Sequence, residues 1–335
     1  MSIVCRLAAL CAYTPETVVS NDDLARLTDT SDAWIVSRTG IRERRKLADS
    51  QNASDMGLIA AEHALERMGM EARQLSHIIA ATCTPDALSP SVACLLAGRL
   101  NAGPVMAFDF SAACTGFVYG LSLMRGILAD NPEAKILFVC AEALTRRLNW
   151  ADRSTCVLFG DGAAACICSK AVLGDDRDGA GDAAVVEDVL CLSDGALNGL
   201  ITVGGGTACR YNSGQPVGSD FFLQMNGRET YKHAVRRMAE VCEDILARNG
   251  LGMGDVDIFV PHQANIRIIE AVGERLGVEA DRVFTNVAEF GNTSSASIPL
   301  ALVQALKQGR VRAGDRVLVT AFGAGLTWGA ALLRF

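Results

Sequence analysis

Short apolar runs alternate along the chain with longer stretches in which apolar side chains recur every three or four positions, the pattern of an α/β protein. Ile3 to Cys11 reads as a strand, Ala53 to Met68 as an amphipathic helix, His77 to Thr82 as a strand and Ser91 to Leu100 as a helix. The run Val105 to Phe110 is a further strand that enters a corner of small residues, Ser111-Ala112-Ala113, and Cys114 then opens a helical segment. Lys135 to Cys140, Val256 to Val260 and Arg316 to Ala321 are strands, and Arg228 to Arg248 is a long amphipathic helix. Between them the composition turns abruptly to GDDRDGAGDAA at Gly174 to Ala184, and Gly204 to Gly218 is again polar and Gly-rich, so both predict surface loops.

The second half repeats the first. Ile258 to Val260 corresponds to Ile78 to Ala80, Arg316 to Ala321 to Lys135 to Ala141, and Gly329 to Leu333 to Gly162 to Cys166. Two stacked α/β units follow, 1–173 and 219–335, with variable loops over 174–218. Cys114 lies 36 residues beyond Ile78 and Asn292 lies 34 beyond Ile258, so the repeat brings both corners near one pseudo-twofold axis. His262 follows the end of its strand, where open α/β sheets place functional residues.

Composition narrows the function. A chain of 335 residues, half of them hydrophobic, buries a large core. Its formal charge of −7, with no basic arm, argues against a nucleic-acid binder. The 12 cysteines are scattered with no CxxC pair, which indicates a reducing, cytoplasmic compartment and no metal site. The start MSIVCRLAALCAY is too short and interrupted for a signal peptide or membrane span.

A cysteine at a helix N-terminus is a candidate nucleophile, because main-chain N–H groups and the helix dipole favour the thiolate. The same Cys114 also fits a cysteine-tolerant core. His262, one of 4 histidines, can act with Asn292 as a pair of donors to one carbonyl oxygen and so stabilise an enolate. The order Cys, His, Asn also occurs in papain-like proteases, but their Cys-Gly-Ser-Cys-Trp signature is absent and the duplicated α/β pattern is foreign to them. Trp34 and Arg38, four apart, share a face if that stretch is helical, giving an aromatic surface beside a cation that suits a nucleotide, or else a loop anchor.

The segments DTSDAWIVSRTGIRER (29–44), DFSAACTGF (109–117), FGDGA (159–163), VPHQANIRII (260–269), GNTSSASIP (291–299) and AFGAGLTWGAALLRF (321–335) resemble the β-ketoacyl-acyl-carrier-protein synthase III family. The resemblance implies the thiolase fold, two similar halves in a five-layered αβαβα sandwich. It implies an enzyme that starts fatty-acid synthesis by condensing an acyl-CoA primer, acetyl-CoA, with malonyl-acyl carrier protein. Relatives that elongate chains or act as thiolases carry His or Cys at the Asn position, so Asn292 favours the initiating branch.

Carried over by position, Cys114 takes the acyl group, His262 and Asn292 bind the malonyl thioester oxygen, and the N–H groups of Cys114 and Ala324 form the oxyanion hole. The family commonly has Gly where Ala324 stands. Trp34 and Arg153 resemble the pair that sandwiches the CoA adenine, with Arg38 near its phosphates and Asn265 and Gly227 along the pantetheine. Lys232, Arg267 and Arg275, with Arg236 beside Lys232, form the expected carrier-protein patch, weakened where Glu274 replaces a family Lys. Ser89 is expected to reach the partner subunit's acyl pocket, with Leu144 and Phe159 filling it. The resemblance further implies a homodimer, no cofactor and no metal, acyl-CoA being a substrate. A condensing enzyme of quinolone, polyketide or other secondary metabolism shares the same triad, and a non-catalytic scaffold is the reading from another class.

Overall fold

Why two halves with the same strand order meet along one edge follows from the strand pairing in the structure, a computed structural model that describes residues 3–172, 183–206 and 218–335. Nine strands hydrogen-bond in one continuous order. The first half contributes Ile3–Tyr13, Gly162–Val172, Ile136–Glu142, His77–Ala81 and Met106–Phe110. The second contributes Ala184–Ser193, Thr327–Arg334, Arg316–Gly323 and Ile258–Pro261. Three residue pairs, Cys5 with Val186, Arg6 with Val185 and Leu7 with Ala184, join the two.

Outward from that joint each half repeats antiparallel, antiparallel, parallel. The first half then adds the parallel Met106–Phe110 strand, and the second has a single parallel bridge, Phe259 to Val283, in its place. The correspondences expected from the repeat are therefore the observed ones.

The strands carry apolar side chains on both faces, which forces a helical layer onto each. Ile78, Ala80, Leu137, Val139, Ala163 and Ala165 face outward against Met56, Ala60 and Ala64 of the helix Ala53–Met68. That helix starts at Asn52, whose main-chain N–H is capped by the Asp55 carboxylate at 2.6 Å, and stops at Gly69, where φ is 57°. In the second half, Phe259, Leu318, Ala330 and Leu332 face outward against Ala234, Met238, Val241 and Ile245 of the helix Gly227–Arg248.

The alternate residues turn inward. Ile79, Ala81, Phe138 and Cys140 from one half, and Val317, Val319, Ala321 and Leu333 from the other, enclose two helices, Gly116–Asp130 and Ser297–Lys307. Five layers result.

The span 174–218 expected as loops is a correction. Ala184–Ser193 is a ten-residue strand at the joint of the two sheets. The acidic Gly-rich composition ends at Ala184, and the apolar positions of AVVEDVLCLS that follow are those of a buried strand. Most of the expected Gly174–Ala184 and Gly204–Gly218 loops lies outside the described residues.

The two middle helices begin head against head. A Cβ on Gly116 would lie 2.8 Å from the Ser295 Cβ and 3.1 Å from that of Ala81. Gly116→Val should therefore cost about 1–3 kcal/mol by overpacking this contact. A lowered urea midpoint with an unchanged slope is the expected reading; an unchanged midpoint would show that the helix starts are free to part.

Candidate active site

Each middle helix is entered through a 3₁₀ turn whose first residue is left-handed although it is not glycine. Ala113 has φ 45° before Cys114, and Ser294 has φ 50° before Ser295. Such a backbone conformation disfavours a side chain, and its cost is tolerated where surrounding packing fixes the turn. By element, the pseudo-twofold counterpart of Cys114 is therefore Ser295, with Asn292 two residues before the left-handed Ser294. The count from the repeat found the right corner and missed this offset.

Behind both turns lies Glu142, fully buried and with no cationic partner among the described residues. Its Oε1 accepts hydrogen bonds from the hydroxyls of Ser294 at 3.1 Å and Ser295 at 2.8 Å. Its Oε2 accepts from the Cys83 main-chain N–H at 3.0 Å and the Thr84 hydroxyl at 2.9 Å. These donors replace water around the carboxylate.

A cavity of about 650 Å³ opens beside the two turns, lined at one end by Cys114, His262, Asn292, Ser294, Phe322 and Ala324. The buried Asn292 turns its Oδ1 to the Ser294 main-chain N–H at 2.8 Å. Its amide group is thereby left to hydrogen-bond the Cys114 sulfur. His262 Nδ1 lies 2.5 Å from the Ser297 hydroxyl, which also accepts the Gln263 main-chain N–H at 3.5 Å. The Ser297 hydroxyl can give its proton to Nδ1 or accept one from it; the first arrangement is the tautomer that carries the ring proton on Nε2. Nε2 is buried and has no partner among the described residues.

Burial decides both titrations. It pushes the His262 imidazole down to about 3, so the ring is neutral at physiological pH. It pushes the Cys114 thiol up to about 12, against the lowering by hydrogen bonds from Ser294 and Asn292 and with the nearby Glu142 charge adding to the rise. Desolvation thus works against the thiolate that the helix N-terminus favours, at a side chain that is half-buried on the cavity wall. It also separates the site from papain-like chemistry, which needs a cysteine beside a protonated histidine.

Gly323 runs against Cys114, since a Cβ there would lie 2.8 Å from the Cys114 nitrogen and 3.2 Å from its Cβ. Ala324 follows with no positive φ, so its methyl group is compatible with the turn although the family commonly has Gly.

At the other end of the cavity stand the expected nucleotide residues. Trp34 and Arg38 do lie on one helix, Asp32–Thr39, and the Arg153 guanidinium sits 5.3 Å from the centre of a Trp34 ring. Arg153 also donates to the Asp29 carbonyl at 2.9 Å. Asn265 caps its helix through Arg267 N–H at 2.9 Å and donates to the Arg38 carbonyl at 3.1 Å, joining the two sides of the mouth. Gly227 lines the cavity, but a Cβ there would meet nothing nearer than Met225 Cε at 3.9 Å, so packing does not demand glycine.

Leu144, Phe159 and Leu223 line the wall near Cys83 and pack together. Ser89 does not join them: it is exposed and away from the cavity of its own chain. Lys232 and Arg267 are at the mouth, Lys232 paired with Glu229 at 2.7 Å, whereas Arg275 is paired with Glu240 at 3.8 Å away from the cavity. Arg228 at the mouth was missed, though it follows Gly227 directly. Glu142, Ser294 and Ser297 were missed as well; the two serines sat within the GNTSSASIP segment.

A neutral histidine and an asparagine beside a half-buried thiol, with no imidazolium to generate a thiolate, suit stabilisation of an enolate, and on this doubled fold they define a condensing acyltransferase of the thiolase type. Residues 108–188 match the family described as 3-oxoacyl-acyl-carrier-protein (ACP) synthase III, and residues 246–335 match its C-terminal part. The chain is 57% identical to a β-ketoacyl-acyl-carrier-protein synthase III of Nitratidesulfovibrio vulgaris (strain DSM 19637 / Miyazaki F), over 99% of this chain and 98% of that one. The solved 3-oxoacyl-acyl-carrier-protein synthase III of Aquifex aeolicus VF5 is 39% identical with a TM-score of 0.88, covering 99% of this chain and 100% of that chain. The priming β-ketosynthase of the R1128 polyketide pathway is 33% identical with a TM-score of 0.88, covering 99% and 96%. The chain belongs to the β-ketoacyl-acyl-carrier-protein synthase III family.

Because the thiolate is the alkylating species, the rate at which iodoacetamide labels Cys114 should climb by roughly tenfold per pH unit from pH 6 to 9. Peptide mass analysis follows it directly. A plateau below pH 8 would mean that the turn, not burial, governs the thiol.

Proposed function

We propose that the enzyme starts acyl chains by moving an acyl group from acyl-CoA, acetyl-CoA first among them, to Cys114 and condensing it with malonyl-acyl carrier protein. The observation that carries this reading is the meeting of His262, whose Nε2 has no protein partner among the described residues, and the Asn292 amide with the half-buried Cys114 thiol at one end of the cavity. The Cys114 sulfur attacks the thioester carbonyl, and its proton leaves on the coenzyme A sulfur. The tetrahedral oxygen is held by the Cys114 and Ala324 N–H groups. The malonyl thioester oxygen then lies between His262 and Asn292, carbon dioxide departs, and the electron pair of the broken bond forms the enolate. Its carbon attacks the acyl-Cys114 carbonyl, the carbon–sulfur bond breaks, and Cys114 regains a proton from water.

The mouth supports the two substrates. Arg38, Arg153, Arg228, Lys232 and Arg267, all exposed, line one cavity of a protein whose net charge is −7. This local reversal suits the phosphates of CoA and an acidic carrier protein. A homodimer is supported by the sheet edge: Met106 is 56% exposed on the outermost strand, and Leu88, next to Ser89, is 83% exposed. Ser89 would then reach a second subunit. The eleven free thiols among the described residues support a cytoplasmic setting.

Intact-mass spectrometry of the protein with a panel of acyl-CoAs tests the reading. The expected result is an acetyl adduct absent in Cys114→Ala and discharged by malonyl-acyl carrier protein as a β-ketoacyl product. Adducts from long or branched donors alone would instead indicate a specialised condensing enzyme, and none from any donor would end the catalytic reading of Cys114. Separately, Arg267→Glu should raise the apparent KM for malonyl-acyl carrier protein by about three- to tenfold and spare acyl-CoA use. Equal loss for both substrates would remove Arg267 from the docking patch.

A further inference from the structure

The nucleophile turn comes from the first half of the chain and the Ala324 turn from the second, yet an oxyanion hole built from both must keep two N–H groups at a fixed separation. Two hydroxyls lie between the turns. Thr115, fully buried, places its Oγ1 2.5 Å from the Ala112 carbonyl and 2.8 Å from Thr327 Oγ1. Thr327 Oγ1 in turn lies 3.0 Å from the Ala324 carbonyl and 3.3 Å from that of Ala112.

Each hydroxyl has one proton, which limits the arrangements. If Thr115 donates to Ala112, Thr327 donates to Thr115. If Thr115 donates to Thr327, Thr327 donates to Ala324, the nearer acceptor, or to Ala112. The remaining choice, both protons on carbonyls, would face two bare oxygens at 2.8 Å. Both favourable arrangements contain the Thr115–Thr327 bond, and each ties it to the main chain of a turn.

We propose that Thr115 and Thr327 form a hydroxyl clasp across the two halves that positions the Cys114 and Ala324 N–H groups for the acyl-transfer transition state. Neither side chain lines the cavity, so both are positioning residues. The proposal rests on the reading that these two N–H groups receive the oxyanion. Malonyl decarboxylation uses the other pair of donors, His262 and Asn292, and the clasp does not touch them. Loss of the clasp therefore separates two half-reactions that a general loss of structure would lower together.

Thr115→Val removes the hydroxyl at nearly constant volume, and Thr115→Ser keeps it. Three readouts decide the matter: single-turnover acylation from acetyl-CoA, decarboxylation of malonyl-acyl carrier protein without primer, and amide hydrogen exchange in peptides covering 110–118 and 321–328. For Thr115→Val, acylation should slow by about 10- to 100-fold, as for a misplaced oxyanion donor, with decarboxylation within about twofold of wild type. Exchange should quicken in both peptides, and Thr115→Ser should restore all three readouts. Thr327→Val, which removes the partner from the other half, should give the same split if Thr115→Val fails to fold. Unchanged exchange in the 321–328 peptide, or equal losses in the two half-reactions, would overturn the clasp. Should wild-type protein take no acyl group at all, the proposed function falls while the exchange measurement still decides the clasp.

Discussion

The contact between the starts of the two middle helices is the constraint on which this structure depends. Gly116 and Ser295 meet closely enough to exclude a side chain from one of them, so the helices Gly116–Asp130 and Ser297–Lys307 share a point of origin. Both chains reach that point through a left-handed residue, Ala113 or Ser294. The strands on either side repeat each other's order around that point, although only the first helix is fed from a strand, Met106–Phe110, and the second from the short helix Val287–Phe290. Two positive helix ends in one buried place would repel. Glu142 answers that with a carboxylate held by Ser294, Ser295, Thr84 and the Cys83 main chain.

Burial at that junction has an electrostatic consequence. It disfavours any charge that lacks a built-in partner, pushing the His262 imidazole down and the half-buried Cys114 thiol up. A neutral imidazole with its proton on Nε2 is a hydrogen-bond donor that carries no charge of its own. The Asn292 amide is held to the same end of the cavity, since its Oδ1 is fixed by the Ser294 N–H and its amide group is turned toward the Cys114 sulfur. Asn292 is itself held in place by the strap that lines the cavity. Its N–H donates to the Leu158 carbonyl at 2.8 Å, and the Gly160 N–H donates to its own carbonyl at 3.0 Å.

Legibility in the sequence followed the range over which each interaction acts. The helix Ala53–Met68 and the strands paired across the repeat were readable because apolar periodicity and caps are local signals. Trp34 and Arg38 were readable as a helical pair, whereas the approach of Arg153 from more than a hundred positions away came from resemblance alone. The strand Ala184–Ser193 was lost to its neighbourhood, since an acidic Gly-rich stretch ends where it begins. Glu142 was unreadable for a deeper reason. A glutamate inside an apolar strand signals nothing until the hydroxyls of Ser294 and Ser295, some 150 residues away, are seen to converge on it.

Arg44 shows how the Trp34 end and the Cys114 end of the cavity are made one body. Its guanidinium is fully buried and donates to the Val19 carbonyl at 3.1 Å, to Asn21 Oδ1 at 2.9 Å and to the Val157 carbonyl at 2.8 Å, and burial pushes its pKa down to about 10. Asn21 also donates to Asp32 at 2.8 Å, at the head of the helix that carries Trp34 and Arg38. Val157 begins the strap that fixes Asn292. A cation without a carboxylate partner is costly to bury, and carbonyl acceptors on two separate segments are what offset that cost. The same bonds make the distance between Trp34 and the Asn292 amide a property of the core rather than of a surface loop.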